Sequence, residues 1–123
     1  RVLKVNCPAL ESSPQHALYK KQMALYNGML SFELDSDFDS VKAMVEKLEI
    51  FQLAESLGGV ESLICHPPSM THAAVPVERR LELGIKDTLI RLSIGIEDVN
   101  DLISDLENAF ASLPERATAA GVK

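Results

Sequence analysis

The stretch TLIRLSIG, residues 88–95, constrains this chain more than any other, because a two-residue alternation there carries a charge on one of its sides. Ile90, Leu92 and Ile94 fall on one side of an extended backbone; Leu89, Arg91 and Ser93 fall on the other. A strand with a wholly apolar back must lie on a core. Its register is then fixed, since a slip of one residue would turn Arg91 inward. An arginine midway along such a strand needs partners for five donors. A carboxylate, such as the α-carboxylate of an amino acid, meets two of them with bidentate geometry. A structural ion pair with one of the eighteen acids is the other solution, and the alternation leaves both open.

The rest of the chain supplies material to cover that strand. RVLKVN alternates, with Val2, Lys4 and Asn6 on one side and Leu3 and Val5 on the other, as a short strand would. SSPQHALYKKQMALYNG predicts a helix, with Ser12 or Ser13 as cap, Pro14 in its first turn and Gly28 at its close. GMLSFEL predicts a strand with Leu30, Phe32 and Leu34 on one face. Phe38, Val41, Met44, Val45 and Leu48 then recur at helical spacing behind possible caps at Ser36 and Asp37. Residues 51–65 read as turns and short strands around Gly58 and Gly59. PVERRLELG reads as a short helix from Pro76 to Gly84. The last helix starts near Asp98, with Val99, Leu102, Ile103, Leu106 and Phe110 on its apolar stripe; Asp101, Ser104, Asp105, Glu107 and Asn108 are expected to face water. These elements predict an α+β two-layer sandwich, with helices on one face of a mostly antiparallel sheet and the other face free. The domain is expected to occupy residues 1–113, followed by a flexible tail over 114–123.

Several function classes are disfavoured. The formal net charge is −6 and the twelve basic residues are dispersed, which argues against a nucleic-acid partner. Apolar runs are far shorter than the ~20 residues that span a bilayer, and nothing reads as a targeting signal, so no membrane partner and a cytoplasmic location are expected. Cys7 and Cys65 are too few for a disulfide scaffold and are expected to be reduced. Cys65, His66 and His72 match no paired zinc spacing, so no metal site is expected. His16 has no neighbouring nucleophile. In AESLGG, the glycines suit either a close backbone approach that offers amides to an anion or simply a tight turn.

AESLGGVESLICHPPSMTHAAVP and LGIKDTLIRLSIGIEDVNDLISDLENAF, together with SPQHALYKKQM and GMLSFEL, resemble the carboxy-terminal domain of the cystathionine γ-synthase and γ-lyase group of Cys/Met metabolism enzymes. The resemblance runs from about Val2 to Phe110, although NCPALESSPQH lacks the tyrosine, proline and glycine pattern that relatives carry there. It implies the carboxy-terminal domain of a fold-type I transferase dependent on pyridoxal phosphate. In such an enzyme the cofactor is held by a lysine in a preceding domain that has no counterpart here. On this resemblance no residue of the chain is itself catalytic or cofactor-binding, and the chain alone should be inactive. The resemblance further implies that Arg91 grips the substrate α-carboxylate, that Ser56 helps hold the same group, and that Thr71 lines the pocket. It matches Glu55 to an acidic position shared by the γ-enzymes that use cystathionine, where a carboxylate can meet the second ammonium. The intact protein is then expected to perform γ-elimination or γ-replacement on a sulfur amino acid as a homotetramer. The other class open to the sequence is a free-standing amino-acid-binding or dimerisation module without a reaction.

Overall fold

The computed structural model describes residues 1–114; the tail expected over 114–123 lies outside the described residues from 115 onward. The chain runs through β1 (Val2–Asn6), α1 (His16–Gln22), β2 (Met29–Leu34), α2 (Phe38–Val45), β3 (Gln52–Leu53) and β4 (Leu63–Cys65). A 3₁₀ turn at Pro67–Ser69 follows, then α3 (Val77–Glu82), β5 (Leu89–Ser93) and α4 (Val99–Ala111). The five strands form one sheet in the order β1-β2-β5-β4-β3. All pairings are antiparallel except β3 with β4, which is parallel, so the sheet is mixed and the class is α+β.

The alternation in β5 sets which face is core. Ile90 and Leu92 are buried beside Phe32 and Leu34 of β2 and Ile64 of β4. Helices α2 and α4 close over this face with Val41, Met44 and Val45 from the first and Leu102 and Ala109 from the second. Both helices start as their sequences predict. Asp37 accepts from the Ser40 amide at 2.8 Å and Asp98 from the Asn100 amide at 2.8 Å, each satisfying a donor the helix leaves free. Leu48 packs on the core from beyond the end of α2 rather than from within it.

Four expectations are corrected. In β1, Val2 lies opposite Leu34 and Val5 opposite Phe32, so these two share the core side while Lys4 and Asn6 lie on the other. The register shift between Val2 and Lys4 is a bulge, and the extra residue breaks the simple alternation. Helix α1 covers only His16–Gln22; Pro14 stands outside it, and Gln15 at its start makes no side-chain cap. Asp105 does not face water: it is 6% exposed, and its carboxylate accepts from the amides of Glu49, Ile50 and Phe51 at 2.8, 2.9 and 3.0 Å. The turn into β3 leaves three amides in a row without a backbone partner, the last of them buried, and an acid on the packed side of α4 is their acceptor.

The fourth correction concerns the face opposite the helices, which is not left free. Glu33, Leu63, Cys65 and Ser93 lie on it and are all buried. Lys86 pairs with Glu33 at 2.7 Å, and Gly58 of the loop between β3 and β4 donates to Ser93 at 2.8 Å. Connections between strands therefore cover the polar side.

Candidate functional site

The polar side of the sheet carries one row of aligned residues. Asn6, Ser31, Arg91 and Cys65 are successive cross-strand partners on β1, β2, β5 and β4, and the Asn6 amide donates to the Ser31 hydroxyl at 3.1 Å. Arg91 is the only ion in the row. Its Nη2 donates to the main-chain carbonyls of Glu55 and Ser56 at 2.9 and 3.0 Å. No acid pairs with it among the described residues, so the structural ion pair left open by the alternation is not formed. Its Nε–H is buried and has no hydrogen-bond partner. The Nε–H of Arg80 is likewise buried and unpartnered, and an unpaired buried donor on a cation costs about 1–3 kcal/mol or more.

The loop after β3 is what holds Arg91, and it does so with carbonyls. Gly58 adopts φ +74°, a left-handed turn that favours glycine, and its amide is engaged by the Ser93 hydroxyl. The glycine pair thus lies in a bend of the loop, and the amide of Gly58 is not open to an anion. Glu55 and Ser56 come to Arg91 through their backbones, while both residues remain exposed. Thr71 lies beyond the 3₁₀ turn, exposed, with its hydroxyl 2.8 Å from the ring of His72. The structure shows no hydrogen bond between Thr71 and Arg91.

His66 follows Cys65 at the end of β4 and is 5% exposed. Its Nε2 donates to the Asp87 carbonyl at 2.8 Å, and its Nδ1 lies 2.7 Å from the Ser69 hydroxyl. Arg80 donates to the Pro68 carbonyl at 2.9 Å. These bonds tie the segment carrying Thr71 to α3 and to the turn just before β5. Among the described residues no three potential metal-ligating side chains cluster, and no helix is long and apolar enough to cross a membrane.

Two contributors lay outside the sequence expectations. Ser93 was placed on the Arg91 face by alternation, but its bond to Gly58 has no signature in the sequence. Glu97 accepts from the Ser62 amide at 2.6 Å and the Ser62 hydroxyl at 2.7 Å. These donors, the amide first, hold its carboxyl below the ordinary value of 4.5. The two residues are 35 positions apart in sequence, and nothing local announces their pairing.

Known proteins with this pattern have related names. The chain is 53% identical over 110 residues to the cystathionine gamma-lyase of Dictyostelium discoideum, covering 89% of this chain and 28% of that protein. It is 56% identical over 109 residues to a cystathionine beta-lyase of Lactococcus lactis subsp. cremoris, with the same coverages. The crystal structure of cystathionine gamma synthase from Xanthomonas oryzae pv. oryzae in complex with cystathionine superposes with a TM-score of 0.86 at 50% identity, covering 91% of this chain and 29% of that one. The chain thus spans about 28% of the length of these curated relatives. The model of the Cys/Met metabolism PLP-dependent enzyme family matches residues 1–111, and the chain belongs to that family.

Proposed function

We propose that residues 1–113 form the carboxy-terminal, substrate-facing domain of a pyridoxal-phosphate enzyme that cleaves or builds cystathionine-type sulfur amino acids by γ-elimination or γ-replacement. The observation that carries this reading is that Arg91, on the face of β5 opposite the core, has no acidic partner among the described residues and a guanidinium already oriented by two carbonyls. A planar fork held in advance suits the α-carboxylate of an amino acid, and pre-orientation lowers the entropy lost on binding.

In this reading the cofactor is held outside this chain. No lysine shares a hydrogen bond or ion pair with Arg91, Glu55 or Ser56 among the described residues, and Lys86 is committed to Glu33. In the proposed enzyme the remainder of the protein holds pyridoxal phosphate, which acts as electron sink; this chain contributes orientation and electrostatics. Arg91 fixes the substrate carboxylate, Ser56 flanks it, and Thr71 lines the same pocket. The exposed Glu55 carboxylate meets the distal ammonium of cystathionine. The intact protein in this reading is a cytoplasmic homotetramer, as the family resemblance implies.

The test is kinetic. In the full-length protein Arg91→Ala is expected to raise KM for cystathionine about a hundredfold, as expected for removal of one partner of a desolvated charge pair. Arg91→Lys should recover only part of the loss, because it restores charge without the fork. Undiminished turnover at low substrate in Arg91→Ala would overturn the assignment. Glu55→Leu should change the ranking of sulfur amino-acid substrates without lowering the melting temperature; an unaltered ranking removes Glu55 from the site.

A further inference from the structure

We propose that Ser93, Ser62 and Glu97 are positioning residues for Arg91, acting through the loop that joins β3 to β4. This rests on the reading of Arg91 as the carboxylate-binding group. Arg91 takes its orientation from the carbonyls of Glu55 and Ser56, both in that loop. A carbonyl can aim a guanidinium only if the carbonyl itself is fixed, and the side chains of this loop are exposed from Glu55 to Glu61. Burial therefore does not hold it, and specific bonds do.

Those bonds all run to β5 and the turn that follows it. Gly58 donates to the Ser93 hydroxyl at 2.8 Å, immediately beyond the carbonyls that grip Arg91. At the far end Ser62 is held by Glu97 through both its amide and its hydroxyl. The Ser62 hydroxyl also accepts from the Gly95 amide at 2.9 Å, and the Val60 carbonyl accepts from the Ile96 amide at 2.9 Å. Gly95 allows this approach, since a Cβ there would lie 2.2 Å from the Val60 oxygen and 2.6 Å from the Glu61 carbonyl carbon. Arg91 and the anchors of its loop thus come from the single segment 91–97. The strand that presents the guanidinium also sets the frame that aims it.

Ser62 and Ser93 are almost fully buried, with both hydroxyls engaged. Glu97 is drawn into the same network as an anion, since both its carboxylate oxygens accept from Ser62. Loss of one such bond leaves a loop donor unmet and loosens the carbonyls, and Arg91 then binds its carboxylate less well without any change at the reacting atoms.

The experiment is steady-state kinetics of the full-length enzyme with cystathionine, comparing Ser93→Ala, Glu97→Gln and Arg91→Ala. Ser93→Ala and Glu97→Gln are expected to raise KM about five- to tenfold, the equivalent of one hydrogen bond, with kcat within about twofold of the parent. Ser93→Thr, which keeps the hydroxyl, should restore KM. A merely structural role would lower the amount of active enzyme and leave KM unchanged. Unchanged KM in both variants, with KM raised in Arg91→Ala, would overturn the positioning role while leaving Arg91 as the carboxylate group. Unchanged KM in Arg91→Ala would overturn the reading beneath both. Should a variant enzyme be too unstable for kinetics, hydrogen–deuterium exchange of the Gly58 amide proton is read in the full-length protein carrying Ser62→Ala, which leaves the Ser62 amide bond to Glu97 in place. Faster solvent exchange of that proton is expected, and an unaltered rate counts against the proposal.

Discussion

Helices α1 and α4 lie in the same chain but are held by different means. Helix α4 has a side-chain cap at Asp98, three buried residues on one side, and an acid that reaches across to the turn before β3. Helix α1 has no side-chain cap and no buried residue. Leu18 within it is 49% exposed, and Met23, Leu25 and Tyr26 just after it are 42%, 79% and 81% exposed. Local contacts among aromatic rings, with His16 and Tyr26 each stacked 6.3 Å from Tyr19, are what it has instead. A seven-residue helix of this kind is marginal on propensity alone, so the pair separates what packing contributes from what local sequence contributes.

The comparison can be broken by substitution. Ile64 is fully buried at the centre of the sheet, and Ile64→Ala should cost the 123-residue chain about 4 kcal/mol in urea unfolding. A loss below about 1 kcal/mol would show that the α4 half is no better packed than the α1 half. Asp105→Ala strands three amides and should cost about 3 kcal/mol, with Asp105→Asn intermediate because it keeps one acceptor oxygen. In contrast, Leu18→Ala on α1 should stay within about 0.5 kcal/mol. Amide exchange is expected to follow the same order, fastest along α1 and slowest along β5.

A pH series sharpens the comparison at smaller amplitude. Glu97 has a folded pKa below its ordinary 4.5, so its stabilising contribution is complete above that value and disappears as pH falls through the folded pKa. Melting temperatures of the parent and Glu97→Gln should therefore differ at neutral pH and converge in acid. Asp37 is lowered from 3.8, chiefly by the Ser40 amide, and adds a loss of the same sign at lower pH. Curves that stay parallel below about pH 4.5 would remove Glu97 from the network.

Much of the fold was legible because burial and periodicity coincide. The β5 alternation, the two Asp caps and the placement of Arg91 opposite the core all follow from residues near in sequence. Three of the features that were not legible have a clear physical reason. The bulge in β1 changes which side Val2 and Val5 occupy, and alternation by itself cannot register an inserted residue. Asp105 reads as a solvent residue on a helix until the amides of 49–51 are placed beside it. The loop anchors join residues 35 apart, and the carbonyls that aim Arg91 belong to Glu55 and Ser56, whose side chains had drawn attention instead. Backbone groups carry no sequence identity, so a site built from them is visible only once folded.

The reach of Asp105 bears on the order in which the molecule assembles. It joins α4 to residues 54 to 56 positions earlier, just ahead of the loop that aims Arg91. Contacts of such sequence separation form late, because the closure entropy of the intervening chain must be met first. A chain still emerging from the ribosome without α4 would lack the acceptor for the turn before β3. The turn that leads into that loop is thereby fixed only once α4 is present, whereas the loop's own anchors, all within residues 91–97, are already in a chain that stops short of α4.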